Sequence, residues 1–188
     1  MAGKASKVKF NIKNVHFAKK NVDESGAVTY GTPFALPGAV SISLEAQGEL
    51  SPFYADGVKY YVSSSNAGYE GDLEVALITD EVRQKILGET MDTNKVLIEN
   101  SNAQTMEFAL GFDIDGDQKS TRFWFYNCTA TRPTTESSTT EDTKEPTTDT
   151  ITISCASSMD GKVRAKTTAE VQDSIFDDWY KAVYTGEA

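Results

Sequence analysis

Apolar residues alternate with polar residues in several separate segments of this chain, and this period-two pattern is its strongest constraint on the fold. Near the N-terminus, Val8, Phe10 and Ile12 alternate with basic or polar neighbours. The same alternation returns at residues 40–44 and 73–77. Because successive side chains of a strand point to opposite faces, each segment predicts a strand with one buried face.

Other segments complete a chain made mostly of strands. Residues 47–57 are interpreted as a loop, and Asn66-Ala67-Gly68 as the turn that joins strand 58–63 to strand 69–78 in a hairpin. Asp115-Gly116 predicts a further tight turn. The remaining predicted strands cover residues 28–30, 34–36, 96–99, 106–114, 121–131, 150–156 and 162–166.

Two helices interrupt this order. Thr79 is predicted to cap a short helix over residues 80–87, which Gly88 ends. Residues 169–184 have apolar side chains at helical spacing and predict an amphipathic C-terminal helix. Many strands with one short internal helix and one terminal helix predict a mainly β fold, either a two-sheet β-sandwich or a flattened barrel. The length of 188 residues favours a single domain over residues 1–188.

The composition excludes some classes of function. The chain has 18 basic and 28 acidic residues and a net charge of −10. Phosphate backbones repel such a chain, so it is a poor candidate for a protein that binds nucleic acid tightly. No apolar run approaches membrane-spanning length, so neither a signal peptide nor a membrane contact is expected. Cys128 and Cys155 are expected to be reduced and buried, with a disulfide as the open alternative.

The segment of residues 132–149 differs in composition from the rest of the chain. It is rich in Thr, Ser, Glu and Pro and has no apolar residue that could anchor it. Such a segment cannot offset its own ordering entropy, so a mobile loop is predicted. Because strands are predicted on both sides of it, the loop is interpreted as the tip of a long hairpin.

No pattern in the sequence indicates catalysis or a metal site. The acids of Asp113-Ile114-Asp115-Gly116-Asp117 are similar to the start of a calcium loop, but the twelfth position is Trp124, which offers no oxygen ligand. This run is therefore interpreted as a turn with solvated acids. His16 is the only histidine and is expected to be structural. Neither a nucleophile elbow nor a P-loop is present, so we expect no enzyme, no cofactor and no metal.

Four aromatic residues follow one another at positions 123–126. In a strand, Phe123 and Phe125 would fill the core while Trp124 and Tyr126 face the other side. Two interpretations remain open for that second face. It is either covered within the same chain or covered by a neighbouring subunit, because exposed aromatic patches usually mark contacts.

Several segments, in collinear order over nearly the whole chain, carry a resemblance to a known family. The segments are Phe53-Tyr54-Ala55-Asp56-Gly57, residues 64–77, Lys13-Asn14-Val15-His16, Leu36-Pro37-Gly38-Ala39-Val40-Ser41-Ile42, Phe125-Tyr126-Asn127-Cys128-Thr129 and Lys166-Thr167-Thr168. Together they resemble the major tail protein, or tail-tube protein, of phages with long non-contractile tails that infect Gram-positive bacteria.

The resemblance implies a structural virion protein of tail-tube fold. Copies of it would form hexameric rings that stack into a tube, and DNA would pass through the lumen during ejection without specific binding. The implied partners are other copies, the tape measure protein, and the tail terminator and distal tail proteins. The implied location is the virion tail, after synthesis in the cytoplasm of the host bacterium.

A subunit interface is expected at sheet edges, at exposed aromatic residues and at a Lys-rich N-terminal arm, residues 1–13. A cationic arm on an acidic body suits docking to a neighbour's acidic surface. The alternative is a monomeric β-sandwich module that binds a carbohydrate or a protein, with exposed aromatics and the acids of 113–117 facing the ligand. The candidate interface residues are Lys7, Lys9, Phe10, Lys13, Phe53, Tyr54, Trp124 and Tyr126.

Overall fold

A nine-stranded antiparallel sheet forms the body of the protein in the computed structural model, which describes residues 5–139 and 146–186. In chain order the strands are β1 (Lys9–Val22), β2 (Val28–Tyr30), β3 (Phe34–Leu36), β4 (Ala39–Gln47), β5 (Leu50–Ala55), β6 (Val58–Ser64), β7 (Gly68–Val75), β8 (Thr90–Met91), β9 (Leu97–Ile98), β10 (Phe108–Gly116), β11 (Thr121–Ala130), β12 (Asp149–Ala156) and β13 (Arg164–Lys166). Helix α1 (Asp80–Lys85) follows β7, and α2 (Asp173–Asp177) follows β13. The prediction of a mainly β fold with two helices is confirmed.

The large sheet curls around the main core. Its strand order is β2-β1-β10-β11-β12-β7-β4, with β3 also paired to β1 and β13 to β11. Ile42 and Leu44 of β4 pack against the same buried cluster as Ile12 and Val15 of β1, although β4 ends the sheet and β1 lies near its other end. The sheet therefore folds over on itself and encloses one core between strands from its two ends, as the predicted sandwich or flattened barrel does.

Helix α1 covers part of this core. Its Val82 and the nearby Ile86 are fully buried in the main cluster. Thr79 occupies the N-cap position, as predicted, but its side chain makes no capping hydrogen bond. The Thr79 hydroxyl is buried without a partner among the described residues, so α1 is held by the packing of its apolar face.

The predicted hairpin between strands 58–63 and 69–78 is wrong. Strand β6 pairs with β5, and β7 pairs with β4 and β12. The chain turns at Asp56-Gly57, where both residues have positive φ, at 53° and 74°. This geometry is the two-residue turn that matches the twist of an antiparallel pair, and Asp-Gly favours it. Residues 47–57 therefore contain strand β5 where a loop was expected.

The C-terminal helix is much shorter than predicted. Residues 169–184 were expected to be helical, but α2 covers only Asp173–Asp177, and the chain continues in turns across the outer face of β11. Backbone carbonyl groups of this segment accept hydrogen bonds from side chains of β11. These tertiary bonds and the aromatic packing beneath them override the helical periodicity.

The Thr- and Ser-rich segment lies between the end of β11 at Ala130 and the start of β12 at Asp149. Residues 131–139 and 146–148 form neither helix nor strand. Residues 140–145, on which part of the loop prediction falls, lie outside the described residues, as do residues 1–4 of the arm. The mobility of the loop stays a prediction. Within the described part of the chain, no helix has the length and apolar content needed to span a membrane.

Candidate assembly surface

Strands β5 and β6 form a two-stranded ribbon that is separate from the large sheet. The ribbon continues from the paired strands β4 and β7, whose register ends at Gln47 opposite Gly68. At this joint the backbones come very close, because a Cβ placed on Gly48 would lie 2.2 Å from the carbonyl oxygen of Ser65. Glycine at position 48 therefore permits this close approach of the two backbones, which a larger residue would prevent.

The ribbon exposes large apolar side chains on both of its faces. Phe53 lies opposite Tyr61 and Pro52 lies opposite Val62. Neighbouring residues of a strand point to opposite faces, so neither face of the ribbon is polar. The exposed fractions are 72% for Leu50, 60% for Phe53, 61% for Tyr54, 59% for Val58, 72% for Tyr60, 63% for Tyr61 and 41% for Val62.

No residue of the ribbon belongs to either hydrophobic core cluster of the described chain. A two-stranded hairpin is marginally stable in water on its own. A contiguous apolar patch that remains exposed usually marks a contact with another molecule. We therefore treat the β5–β6 hairpin as the candidate assembly surface.

The hairpin is also electrically neutral on an acidic protein. Between Leu50 and Ser64 the only charged residues are Asp56 and Lys59. The whole chain carries a net charge of −10. Two acidic bodies repel each other, so a neutral apolar projection is the part that can approach a second copy at least electrostatic cost.

Six of the eight predicted interface residues are exposed. Phe53 and Tyr54 lie on the hairpin, and Phe10 is 64% exposed near the start of β1. The three lysines, Lys7, Lys9 and Lys13, are exposed as well. Their participation in an interface stays a prediction.

The other two predicted interface residues, Trp124 and Tyr126, are buried within the chain. Trp124 is 0% exposed and Tyr126 is 4% exposed. Residues 173–186 cover them, and Trp179 is buried in the same cluster. The placement of these two residues at a subunit interface is therefore corrected. Of the two interpretations that the sequence left open, cover by the same chain is the one observed.

Outward-facing side chains of β11 hold this C-terminal segment by hydrogen bonds to its backbone. The indole nitrogen of Trp124 donates to the carbonyl of Trp179 over 3.0 Å, and the hydroxyl of Tyr126 donates to the carbonyl of Tyr184 over 2.7 Å. Burial raises the pKa of Tyr126 to about 12, so its hydroxyl stays a donor at neutral pH. The three bonds run from Arg122 to the carbonyl of Phe176, from Trp124 to that of Trp179 and from Tyr126 to that of Tyr184.

The described part of the N-terminal arm lies on its own chain. Ser6 Oγ accepts hydrogen bonds from backbone N–H groups of the turn after β10, and the N–H of Lys7 donates to Asp117 over 2.7 Å. The ammonium of Lys13 lies 2.5 Å from a carboxylate oxygen of Asp115. The bonds from Lys13 lower the pKa of Asp115, and the backbone bond from Lys7 lowers that of Asp117.

The interpretation of residues 113–117 as a turn with solvated acids fits Asp117, which is exposed in the turn, but is wrong for Asp113. Asp113 is 1% exposed, accepts hydrogen bonds from Asn14 and Tyr180, and lies 3.4 Å from the Arg122 guanidinium. Strand β10 continues to Gly116, and the turn follows it. Since each acid has a different partner, the three carboxylates do not converge. Within residues 5–139 and 146–186, no group of three or more His, Cys, Asp or Glu side chains could hold a metal ion.

His16 is partly buried and lies beside Tyr180 and Asp113. Its ring stacks on Tyr180 with centroids 4.1 Å apart and an angle of 8° between the ring planes. Its Nδ1 lies 2.8 Å from the carbonyl oxygen of Asn14. Burial lowers the pKa of His16 and outweighs the opposing effect of Asp113. This placement supports the expectation of a structural histidine.

The sequence interpretation missed most of the hairpin. It singled out Phe53 and Tyr54 but assigned them to a loop, and it paired β6 with the wrong strand. The signal was present, because Asp56-Gly57 separates two runs that are rich in Tyr, Val and Phe. An Asp-Gly pair between such runs is the strongest short-range indication of a hairpin.

No family model and no curated protein matches this chain. Among solved structures, the chain is similar to one chain of "Cryo-EM structure of the anti-feeding prophage (AFP) baseplate, 6-fold symmetrised". The sequence identity is 10%, the match covers 89% of this chain and 99% of the other, and the TM-score is 0.49. A similarity this weak carries no conclusion about function.

Proposed function

We propose that this protein is a structural virion subunit that self-assembles through the β5–β6 hairpin into stacked rings of a phage tail tube. The observation that carries the proposal is the exposure of apolar side chains on both faces of the hairpin. The resemblance of the sequence to tail-tube proteins supports it. One of the segments that carry the resemblance, Phe53–Gly57, forms the end of β5 and the turn of this hairpin.

A second copy of the chain is the occupant that best fits the hairpin. Strands β5 and β6 pair only with each other in the described chain, so each leaves one edge without a backbone partner. Free edges of this kind invite pairing with a strand of another molecule. Apolar faces and two open edges together provide both burial and backbone hydrogen bonds in one contact.

The charge of the chain fits a conduit for DNA. In a hexameric ring, six chains of net charge −10 carry about −60 in total. A lumen wall with this sign repels phosphate groups, so DNA slides past it without binding. In this proposal the tube lies in the virion tail, and its further partners are the tape measure, tail terminator and distal tail proteins.

The test compares assembly of the wild type with that of a hairpin variant. Phe53→Ser/Tyr61→Ser removes one facing aromatic pair and leaves the turn intact. Sedimentation velocity and negative-stain electron microscopy are carried out over a range of concentrations. The wild type should form rings or tubes, and the variant should stay a folded monomer.

Leu77→Ser is the matched control, because Leu77 is 66% exposed but lies outside the hairpin. This variant should assemble like the wild type. Two results would contradict the proposal. One is a wild type that remains monomeric at all concentrations, and the other is a hairpin variant that assembles normally.

The rival function, a monomeric binding module, has one observation in its favour. A cavity of about 410 Å³ lies beside Tyr30 and Tyr126 and is also lined by Met159, Asp160 and Lys162. The acids of 113–117 do not serve this function, because they pair with residues of the same chain. A wild type that stays monomeric in the assembly experiment would favour this rival.

A further inference from the structure

Cys128 of β11 and Cys155 of β12 face each other directly across the two strands. Their side chains are 0% and 1% exposed, and their sulfur atoms are 2.7 Å apart. Both are buried, as expected from the sequence. No other cysteine exists in the chain.

The position of the pair in the strand ladder suits a covalent bond. The backbone N–H of Thr131 donates to the carbonyl of Thr152 over 3.0 Å, so this directly opposed pair is hydrogen-bonded. Hydrogen-bonded and non-hydrogen-bonded pairs alternate along antiparallel strands. Cys128 and Cys155 lie three positions from Thr131 and Thr152 along the two strands, so they form a non-hydrogen-bonded pair. Cα atoms in such pairs lie about 4.5 Å apart, which is within the range that disulfides span.

We propose that Cys128 and Cys155 are a modification site and join as a cross-strand disulfide when the chain folds in the presence of a low-molecular-weight disulfide. Oxidised glutathione is a suitable oxidant. The thiolate of one cysteine attacks it and releases one glutathione thiolate, which leaves a mixed disulfide on the protein. The thiolate of the other cysteine then attacks that disulfide and releases the second glutathione. The protein loses two electrons and two protons, and one oxidised glutathione becomes two reduced molecules.

The bond forms during folding because the finished structure hinders the reaction. Both sulfur atoms are shielded from solvent, and burial raises the pKa of the Cys128 thiol, so little thiolate is present in the folded protein at neutral pH. Once formed, the bond joins the two strands that flank the Thr- and Ser-rich segment. It closes a loop over residues 129–154 and restricts the unfolded chain.

The test refolds the full chain from urea, either with a mixture of oxidised and reduced glutathione or with a reducing thiol alone. We expect the first sample to lose the mass of two hydrogen atoms per chain and to give one peptide pair that joins Cys128 to Cys155. Its melting temperature should exceed that of the reduced sample by about 5–15 °C. A Cys155→Ala chain is the control and should melt at the same temperature after either treatment.

Three results would overturn the proposal. The first is a folded wild-type chain that keeps both thiols in the glutathione mixture. The second is a product that carries glutathione adducts or links two chains. The third is an internally linked chain that melts at or below the temperature of the reduced protein, because the bond would then not fit the native strands.

Discussion

Two strand regions of this protein are rich in aromatic side chains, and the two have opposite surroundings. In β11, Phe123, Trp124, Phe125 and Tyr126 are exposed by 9%, 0%, 2% and 4%. In the β5–β6 hairpin, Phe53, Tyr54, Tyr60 and Tyr61 are exposed by 60%, 61%, 72% and 63%. Both regions are antiparallel β structure, so the difference lies in what covers them.

For β11 the cover comes from elsewhere in the same chain. Its inner face packs on the main core, and its outer face is covered by residues 173–186, about fifty positions later. For the hairpin no segment of the described chain supplies a cover on either face. The comparison teaches that the same kind of aromatic strand is buried or exposed according to what the rest of the chain packs against it. In the proposed function, a second molecule supplies the cover that the hairpin lacks.

Truncating β11 should have the largest effect on stability. Trp124→Ala removes a fully buried indole and its hydrogen bond to the carbonyl of Trp179, and should lower the free energy of unfolding by about 3–5 kcal/mol. Tyr61→Ala on the hairpin should change the stability of the monomer by less than about 0.5 kcal/mol. Urea unfolding of dilute protein measures both, and equal losses would remove the distinction between the two regions.

A smaller change separates the hydrogen bond of β11 from its packing. Tyr126→Phe deletes the donor to the carbonyl of Tyr184 and should cost about 0.5–1.5 kcal/mol. The wild type should also lose stability in alkali, because burial opposes ionisation of this hydroxyl in the folded chain. Because the pKa of Tyr126 is raised from 10.0 to about 12, the stabilisation is complete below pH 10 and is lost as the pH rises through 12. Tyr60→Phe, on the exposed hairpin, is the control and should leave urea unfolding unchanged.

Altering the turn of the hairpin should affect association more than folding. Gly57 has a φ of 74°, and Gly57→Ala should cost about 1 kcal/mol in the ribbon alone. That cost corresponds to a roughly fivefold weaker association, with little change in the melting temperature of the monomer. Gly161→Ala is the control, because Gly161 has a φ of 78° and lies outside the hairpin. A Gly161→Ala variant that weakened association equally would contradict the role of the hairpin.

The smallest effect is expected at His16, beneath the C-terminal segment. Burial lowers its pKa, so the unfolded chain binds a proton more readily than the folded chain. The wild type should therefore lose stability as the pH falls below 6.5, the ordinary pKa of histidine. Asp113, Arg122 and Tyr180 surround the ring, and His16→Gln should flatten this pH dependence. The free energy of unfolding, measured at pH 7.5, 6.5 and 5.5, reports this dependence. If it varies with pH in His16→Gln as it does in the wild type, the effect belongs to other groups.

Local pattern predicted the strands well because alternation and turn residues are local signals. The short strands β2 and β3 lie where they were predicted, and β12 differs by one residue at its start. Strand pairing was predicted less well, because the register of β4 with β7 depends on contacts across a whole hairpin. The length of α2 was missed because β11 side chains bind the backbone that was expected to continue the helix.

The candidate site was predicted only in part, for the same physical reason. All four aromatic interface candidates looked alike in the sequence, but Phe53 and Tyr54 are exposed whereas Trp124 and Tyr126 are buried. Nothing local to residues 123–126 shows that a segment some fifty residues later covers them. Exposure of an aromatic strand is a property of the whole fold, and the sequence pattern carries no direct record of it.

Amide hydrogen exchange, measured at low and at high protein concentration, tests the central claim most directly. At low concentration, amides of residues 50–64 should exchange fast while those of residues 123–126 stay protected. At high concentration the hairpin amides should become protected as particles form, and the β11 amides should not change. Particles that form while the hairpin amides still exchange at the dilute rate would contradict the claim that a second copy covers the β5–β6 hairpin.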